Sequence, residues 1–263
     1  MQPDAAPPPR RIAMAARPAH VRPLDSGKLR ATCSACSLRE LCLPAGLGPL
    51  EINTVDKLIN RRRSLARGEY LFRNDTPLQS LYAIRAGFLK TSVMHADGGE
   101  QVAGFHMPGD LLGLDAMGSN HHVCDATALG RGEVCEIPLD TLELLAHKLP
   151  ALQQHFHRIL SRELVHHHHR MLLLGSMRAC ARIAAFLLDL SRRYAARGYL
   201  PAEFLLHMTR AEIGSYLGLT LETVSRGLSH MQDSKLIQVN NRRIRIADLA
   251  GLHALAHPRA DVA

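Results

Sequence analysis

Three cysteines crowd into ten residues: Cys33, Cys36 and Cys42 stand at C-x2-C-x5-C, with Leu43-Pro44 directly after the third. Thiolate sulfur is a soft donor, and a tetrahedral sulfur set takes zinc or an iron–sulfur cluster, either of which needs four ligands. The fourth must come from elsewhere in the chain, and on the residues alone Cys124, Cys135 and Cys180 all qualify. Cys180 sits among apolar neighbours in a helical stretch, where a free cysteine ordinarily serves packing. No histidine directly follows Cys36, so covalent haem attachment is not indicated. Three unligated thiols on a loose segment would be open to irreversible oxidation, which favours a ligand role.

A second constellation lies near the C-terminus. Glu222, Ser225 and Arg226 share one face near the start of a short helix. Arginine bonds two-pronged to guanine O6 and N7, glutamate accepts from cytosine N4, and serine serves base or phosphate. The plain alternative is a solvated face with an i,i+4 pair between Glu222 and Arg226. Context favours base contact. Thr209-Arg-Ala-Glu212 forms a capping box, Gly218 ends that helix as a left-handed cap, and Thr220 caps the next one, whose inner face reads Leu221, Val224, Leu228 and Met231. This is a helix-turn-helix, and Thr209 and Thr220 at its helix starts are counted with the DNA-facing residues. Leu236 to Val239, a two-residue turn Asn240-Asn241, then Arg242 to Ile246 reads as a hairpin wing, with Arg242, Arg243 and Arg245 meeting phosphates.

Two histidine groups carry less. His166 to His169 occupy four consecutive helical positions spread over about 300° of arc and cannot converge on one ion, so they form a solvated face. His121-His122 has no carboxylate or third histidine at a suitable spacing for a catalytic metal.

The elements that must hold these groups fit a 263-residue chain with 46% hydrophobic and 21% charged residues, enough for two modest cores. Its formal charge of +8 favours a polyanionic partner. No apolar run approaches the roughly 18 residues of a membrane span, and the N-terminus lacks a secretory core. A reducing cytoplasm follows, in which cysteines serve as ligands rather than disulfides. The expected fold is α+β. Residues 1–30, rich in proline and arginine, read as a disordered arm; 31–48 form the cysteine segment; 49–148 an antiparallel β-roll; 149–175 a long helix; and 176–263 a winged helix-turn-helix. Along the long helix Leu152, Phe156, Leu160, Leu164 and Met171 make a narrow stripe that pairs with a copy of itself, with His167 as its one polar residue. A homodimer is expected.

From about Ala31 onward the chain resembles the FNR/Anr-type oxygen-sensing regulators of the CRP superfamily. The likeness rests on the cysteine motif, on Ser80-Leu-Tyr-Ala-Ile-Arg-Ala-Gly87, Gly104-Phe-His-Met-Pro-Gly-Asp110, Gly118-Ser-Asn-His-His122 and Val134-Cys-Glu-Ile-Pro138, and on Glu222-Thr-Val-Ser-Arg226. The resemblance selects Cys135 as fourth ligand. It implies a [4Fe–4S] cluster that supports a DNA-binding dimer until oxygen degrades it. Recognition of a two-fold TTGAT–ATCAA site through Glu222, Ser225 and Arg226 is also implied, with double-stranded DNA and RNA polymerase as partners and no enzymatic activity. Cyclic AMP is not expected, because His121 to Ala126 offers no guanidinium for a cyclic phosphate. One departure is His167, where relatives carry an acidic residue. The rival readings are a zinc-stabilised regulator of the same superfamily answering a small ligand, and a cupin-like metalloprotein.

Overall fold

Short apolar runs between glycine-rich turns fold as a roll of two four-stranded antiparallel sheets. The computed structural model describes residues 32–58, 61–95 and 97–257; the expected disordered arm lies outside them. One sheet has the order β1 (Arg61–Leu65), β8 (Gly132–Pro138), β3 (Ser80–Ala86), β6 (Leu111–Leu112). The other runs β2 (Tyr70–Phe72), β7 (Asp125–Ala128), β4 (Leu89–Met94), β5 (Glu100–His106). Leu65, Ile84, Leu89, Leu112 and Val134 fill the space between them.

The strands begin later and end earlier than the sequence reading placed them, because a helix flanks each end. In α1 (Pro49–Leu58) Pro49 takes the first position and the Glu51 carboxylate accepts the Gly48 amide at 2.7 Å, closing the first turn. Among the described side chains of this helix, Ile52 and Val55 are buried, too few to mark a period. In α2 (Leu139–Lys148) the buried pair is Leu142 and Leu145. Leu149, at φ −124° and ψ 88° and so kept out of the helical region by the proline after it, separates α2 from α3 (Pro150–Ser176).

The stripe on α3 divides. Leu152 and Phe156 are sealed into the protomer's own core with Leu43, Val55, Leu81 and Ile137, so they are not seam residues. The first turns of α3 lie against the roll and the cysteine segment, which is why the same period serves two purposes. Leu160 is half-buried, while Leu164 and Met171 are 57% and 70% exposed.

Beyond α3 come α4 (Ala179–Ala195), β9 (Glu203–Leu205), α5 (Arg210–Leu217), α6 (Leu221–Asp233), β10 (Ile237–Asn240), β11 (Arg243–Ile246) and α7 (Leu249–Ala256). Gly218, at φ 63°, ends α5 in the left-handed conformation expected of it. The wing turn falls one residue later than read: Asn240 pairs with Arg243, and Asn241, at φ 56°, shares the turn with Arg242. Leu221 is 46% exposed rather than inward, since the first turn of α6 projects past the core that takes Val224, Leu228 and Met231.

The winged helix and the roll share a core. Phe88, Val102, Phe105 and Met107 from the roll pack in one cluster with Phe186, Leu190 and Ile213. Polar contacts reinforce it. Asp110 accepts Arg193 at 2.7 Å and Arg197 at 2.6 Å, Lys90 reaches Glu212 at 3.3 Å, and the Val102 amide donates to Ser215 Oγ at 2.8 Å.

Candidate metal centre and nucleic-acid interface

The cysteine segment is a chain of tight turns. A 3-10 turn runs over Cys33–Ala35, and backbone amides of Cys36, Arg39 and Cys42 close onto carbonyls three or four residues back. Asp56 of α1 pins its start by accepting the Cys33 amide and, at 2.9 Å, the Ser34 hydroxyl. Leu43 beneath it is buried in the core, and His155 of α3 approaches the Cys42 carbonyl at 3.1 Å. Leu41 lies against Gly109, where a Cβ would stand 3.0 Å from that of Leu41; with φ at 95° this turn position suits glycine alone.

Cys33, Cys36 and Cys42 line a small cavity of about 40 Å³, and Cys135 of β8 lines it too. Cys124 and Cys180 do not. Cys124 is buried with its sulfur 3.4 Å from Asp115, and Cys180 lies half-buried on α4. Burial, then the neighbouring Cys42, Asp56 and Cys135, pushes the Cys33 thiol up to about 12. Burial likewise pushes Cys42 up to about 12, against a partly opposing contribution from the Leu43 amide. Thiols of this kind are protonated at neutral pH, and they become ligands only where cationic iron or zinc displaces the proton.

Among the described residues no group of three His, Cys, Asp or Glu side chains is gathered so as to hold one metal ion. Four sulfurs around a shared cavity are a different arrangement. A [4Fe–4S] cluster takes one thiolate on each iron, so its ligands surround a volume rather than meet at a point. The donor set fits that group in type and number.

The histidines behave as packing and surface. His122 is buried, stacked on Phe72 at 3.7 Å between ring centroids and 3.4 Å from Asp115, while His121 and His166 to His169 are exposed.

At the other end, the capping box is formed: Thr209 Oγ1 accepts the Glu212 amide at 3.2 Å and the Glu212 carboxylate accepts the Thr209 amide at 2.7 Å. Thr220 Oγ1 accepts the Thr223 amide at 3.2 Å, fixing the start of α6. Glu222 and Arg226 are exposed on that helix, with Ser225 half-buried between them. Amide donation at the helix start, then the Thr220 hydroxyl and Arg226, holds the Glu222 carboxyl below its usual range. Arg210, which the sequence reading left out, donates to Ser225 Oγ at 3.2 Å from the first position of α5. Its signal was its place directly after the Thr209 cap. Arg242 and Arg245 stand on the wing, and Arg243 pairs with Glu203 at 3.0 Å.

Comparison with known proteins places these features in context. Residues 181–255 match the profile of the Crp-like helix-turn-helix domain, and residues 62–148 that of the cyclic nucleotide-binding domain. The chain is 46% identical over 225 residues to the transcriptional regulatory protein btr of Bordetella pertussis, covering 86% of this chain and 93% of that protein. It is 43% identical over 243 residues to the fumarate and nitrate reduction regulatory protein of Escherichia coli, covering 92% and 97%. Among solved structures, FixK2 from Bradyrhizobium japonicum superimposes with a TM-score of 0.69 at 32% identity, over 74% of this chain and 96% of that one.

Proposed function

Since the chain belongs to the CRP/FNR family of transcription regulators, we propose that it is an oxygen-responsive regulator of the cytoplasm, binding a TTGAT–ATCAA-like site as a homodimer through Glu222, Ser225 and Arg226. The observation that carries this reading is the meeting of Cys135 with Cys33, Cys36 and Cys42 at one cavity. These four residues hold a [4Fe–4S] cluster, which supplies a group that oxygen dismantles. What the chain supplies is a path from that cavity to α3: Leu43 shares a core with Leu152 and Phe156, and His155 abuts the Cys42 carbonyl. Order in the segment therefore bears on the helix that presents Leu164, His167 and Met171 to a partner. RNA polymerase is the downstream partner of this reading, and the roll acts as scaffold rather than cyclic-nucleotide receptor. Among the described residues no helix is long and apolar enough to cross a membrane.

Purification without oxygen tests it. A brown protein containing iron and sulfide that binds a TTGAT–ATCAA duplex and releases it on exposure to air is the expected result; a colourless zinc protein with air-insensitive binding would overturn it.

Base reading has its own test. Arg226→Ala should cost on the order of 1–3 kcal/mol at the preferred site and relax choice at one base pair, whereas Arg243→Ala should weaken all sequences alike and flatten the salt dependence. Titrations of specific and random duplex at several salt concentrations separate the two.

Dimer strength should also respond to pH. Loss of surrounding water, then Arg170 and His168, lowers the His167 pKa from its ordinary value. Two copies facing each other would lower it further, so the neutral ring is the dimer's form. Only this further lowering bears on dimerisation: its contribution is complete above the His167 pKa of the monomer and is lost as pH falls through the lower value of the dimer, because the monomer then binds more protons. Light scattering on cluster-loaded protein under nitrogen should show the dissociation constant rising with acidity in wild type and much less in His167→Leu.

A further inference from the structure

On its sheet side the cysteine cavity is lined by one arginine, Arg85, and a second, Arg62, stands beside Cys135. Register places Arg62 of β1 directly opposite Cys135, and Ala83 of β3 opposite it on the other flank. Directly opposed residues share a face of the sheet, as do residues two apart on one strand, so Arg62, Cys135 and Glu133 stand together. Arg85 lines the cavity itself, while Arg62 and Glu133 stand beside Cys135 just outside its lining. One oxygen of Glu133 serves both arginines, at 2.9 Å from Arg85 and 3.3 Å from Arg62. Two guanidiniums thus share one carboxylate, and Nη2 of Arg62 is buried with no hydrogen-bond partner.

A buried donor without an acceptor and a surplus positive charge are both costly unless something meets them. Four thiolates on a [4Fe–4S] core leave a net anionic assembly, and hydrogen bonds and charge around the sulfurs are the protein's means of adjusting it. We propose that Arg62 and Arg85, limited by Glu133, form the counter-charge of the cluster and set how firmly the thiolates are held in their ligating form. This rests on the cluster reading above and adds to it a named group of tuning residues outside the ligand set. Glu133 acts against the two arginines, so its removal and theirs should have opposite signs.

The experiment uses full-length protein reconstituted under nitrogen with ferrous iron and sulfide, then mixed with a ferrous chelator while loss of the visible absorption is followed. Arg62→Met should release iron roughly fivefold faster than wild type, the scale of removing one nearby unit charge. Arg62→Lys should restore most of the difference, and Glu133→Gln should release iron more slowly than wild type. Urea midpoints of the unloaded proteins, expected to agree closely, separate this from a folding defect. Equal release rates in wild type and Arg62→Met, or acceleration in both Arg62→Met and Glu133→Gln, would overturn the proposal while leaving the cluster reading intact. A wild type that takes up no iron–sulfur would overturn both.

Discussion

Serine in place of Cys135 is expected to leave the protein without its iron and without high-affinity anaerobic DNA binding. Of the four proposed ligands Cys135 alone comes from the roll, at the middle of β8 and flanked by β1 and β3, whereas the other three belong to one short segment. Hydroxyl oxygen is a poor donor to iron in a sulfur-ligated cluster, so three ligands remain where four are needed. The loss should appear as colourless protein after anaerobic reconstitution, with operator binding weakened roughly 5- to 150-fold, the range of an effector coupling of about 1–3 kcal/mol. Cys33→Ser, Cys36→Ser and Cys42→Ser should behave alike. Cys124→Ser and Cys180→Ser should keep both iron and DNA binding, because neither sulfur lines the cavity. Iron analysis across the six variants decides the matter, and a full iron content in Cys135→Ser is the outcome that defeats the assignment.

Asp110→Asn should produce the largest loss of stability among single substitutions at ion pairs of this protein. Burial would raise the Asp110 carboxyl, but Arg193 and Arg197 outweigh it and hold the carboxyl below its usual range. Both guanidiniums are largely buried, with 16% and 5% of their side chains exposed. Taking away the negative partner leaves Arg197 against a neutral amide and Arg193 with only Asp189, at 3.8 Å, an effect of about 3–5 kcal/mol. Replacing the exposed Arg192, which pairs with Asp189 at 2.6 Å, by alanine should cost under about 1 kcal/mol by comparison. The sign with pH follows from the lowered pKa: the stabilisation is complete above the ordinary carboxylate range and disappears as acid protonates Asp110 in the folded state. Urea unfolding from neutral to acid pH should therefore show wild type losing an increment that Asp110→Asn already lacks.

The reach of sequence reasoning differed from residue to residue for physical reasons. The helix-turn-helix was legible because local chemistry fixes it: the Thr209 box, the Gly218 cap and the Thr220 cap each act within a few residues. The cysteine trio was equally local. Cys135 was not, since strand register brings it to the cavity from about ninety residues away, and only the motif resemblance singled it out. Helices α1 and α2 escaped notice because the buried residues described, Ile52 and Val55 in one and Leu142 and Leu145 in the other, make no period. Periodicity on α3 marked an apolar stripe without saying what covers it, so Leu152 and Phe156 were assigned to a partner when their own roll covers them. The Asp110 clamp had no local trace, its charges lying more than eighty residues apart.

Phe88, Val102, Phe105 and Met107 belong to the roll by chain order and to the winged helix by packing. Recombination between relatives would therefore not respect the boundary that chain order suggests. A winged helix transplanted at the end of α3 leaves behind four large apolar side chains of its own interior and arrives with their vacant seats facing water. Inheritance of a new DNA specificity in this lineage is easier by substitution on the exposed face of α6 than by exchange of the whole module, because only the former leaves the shared interior as it was.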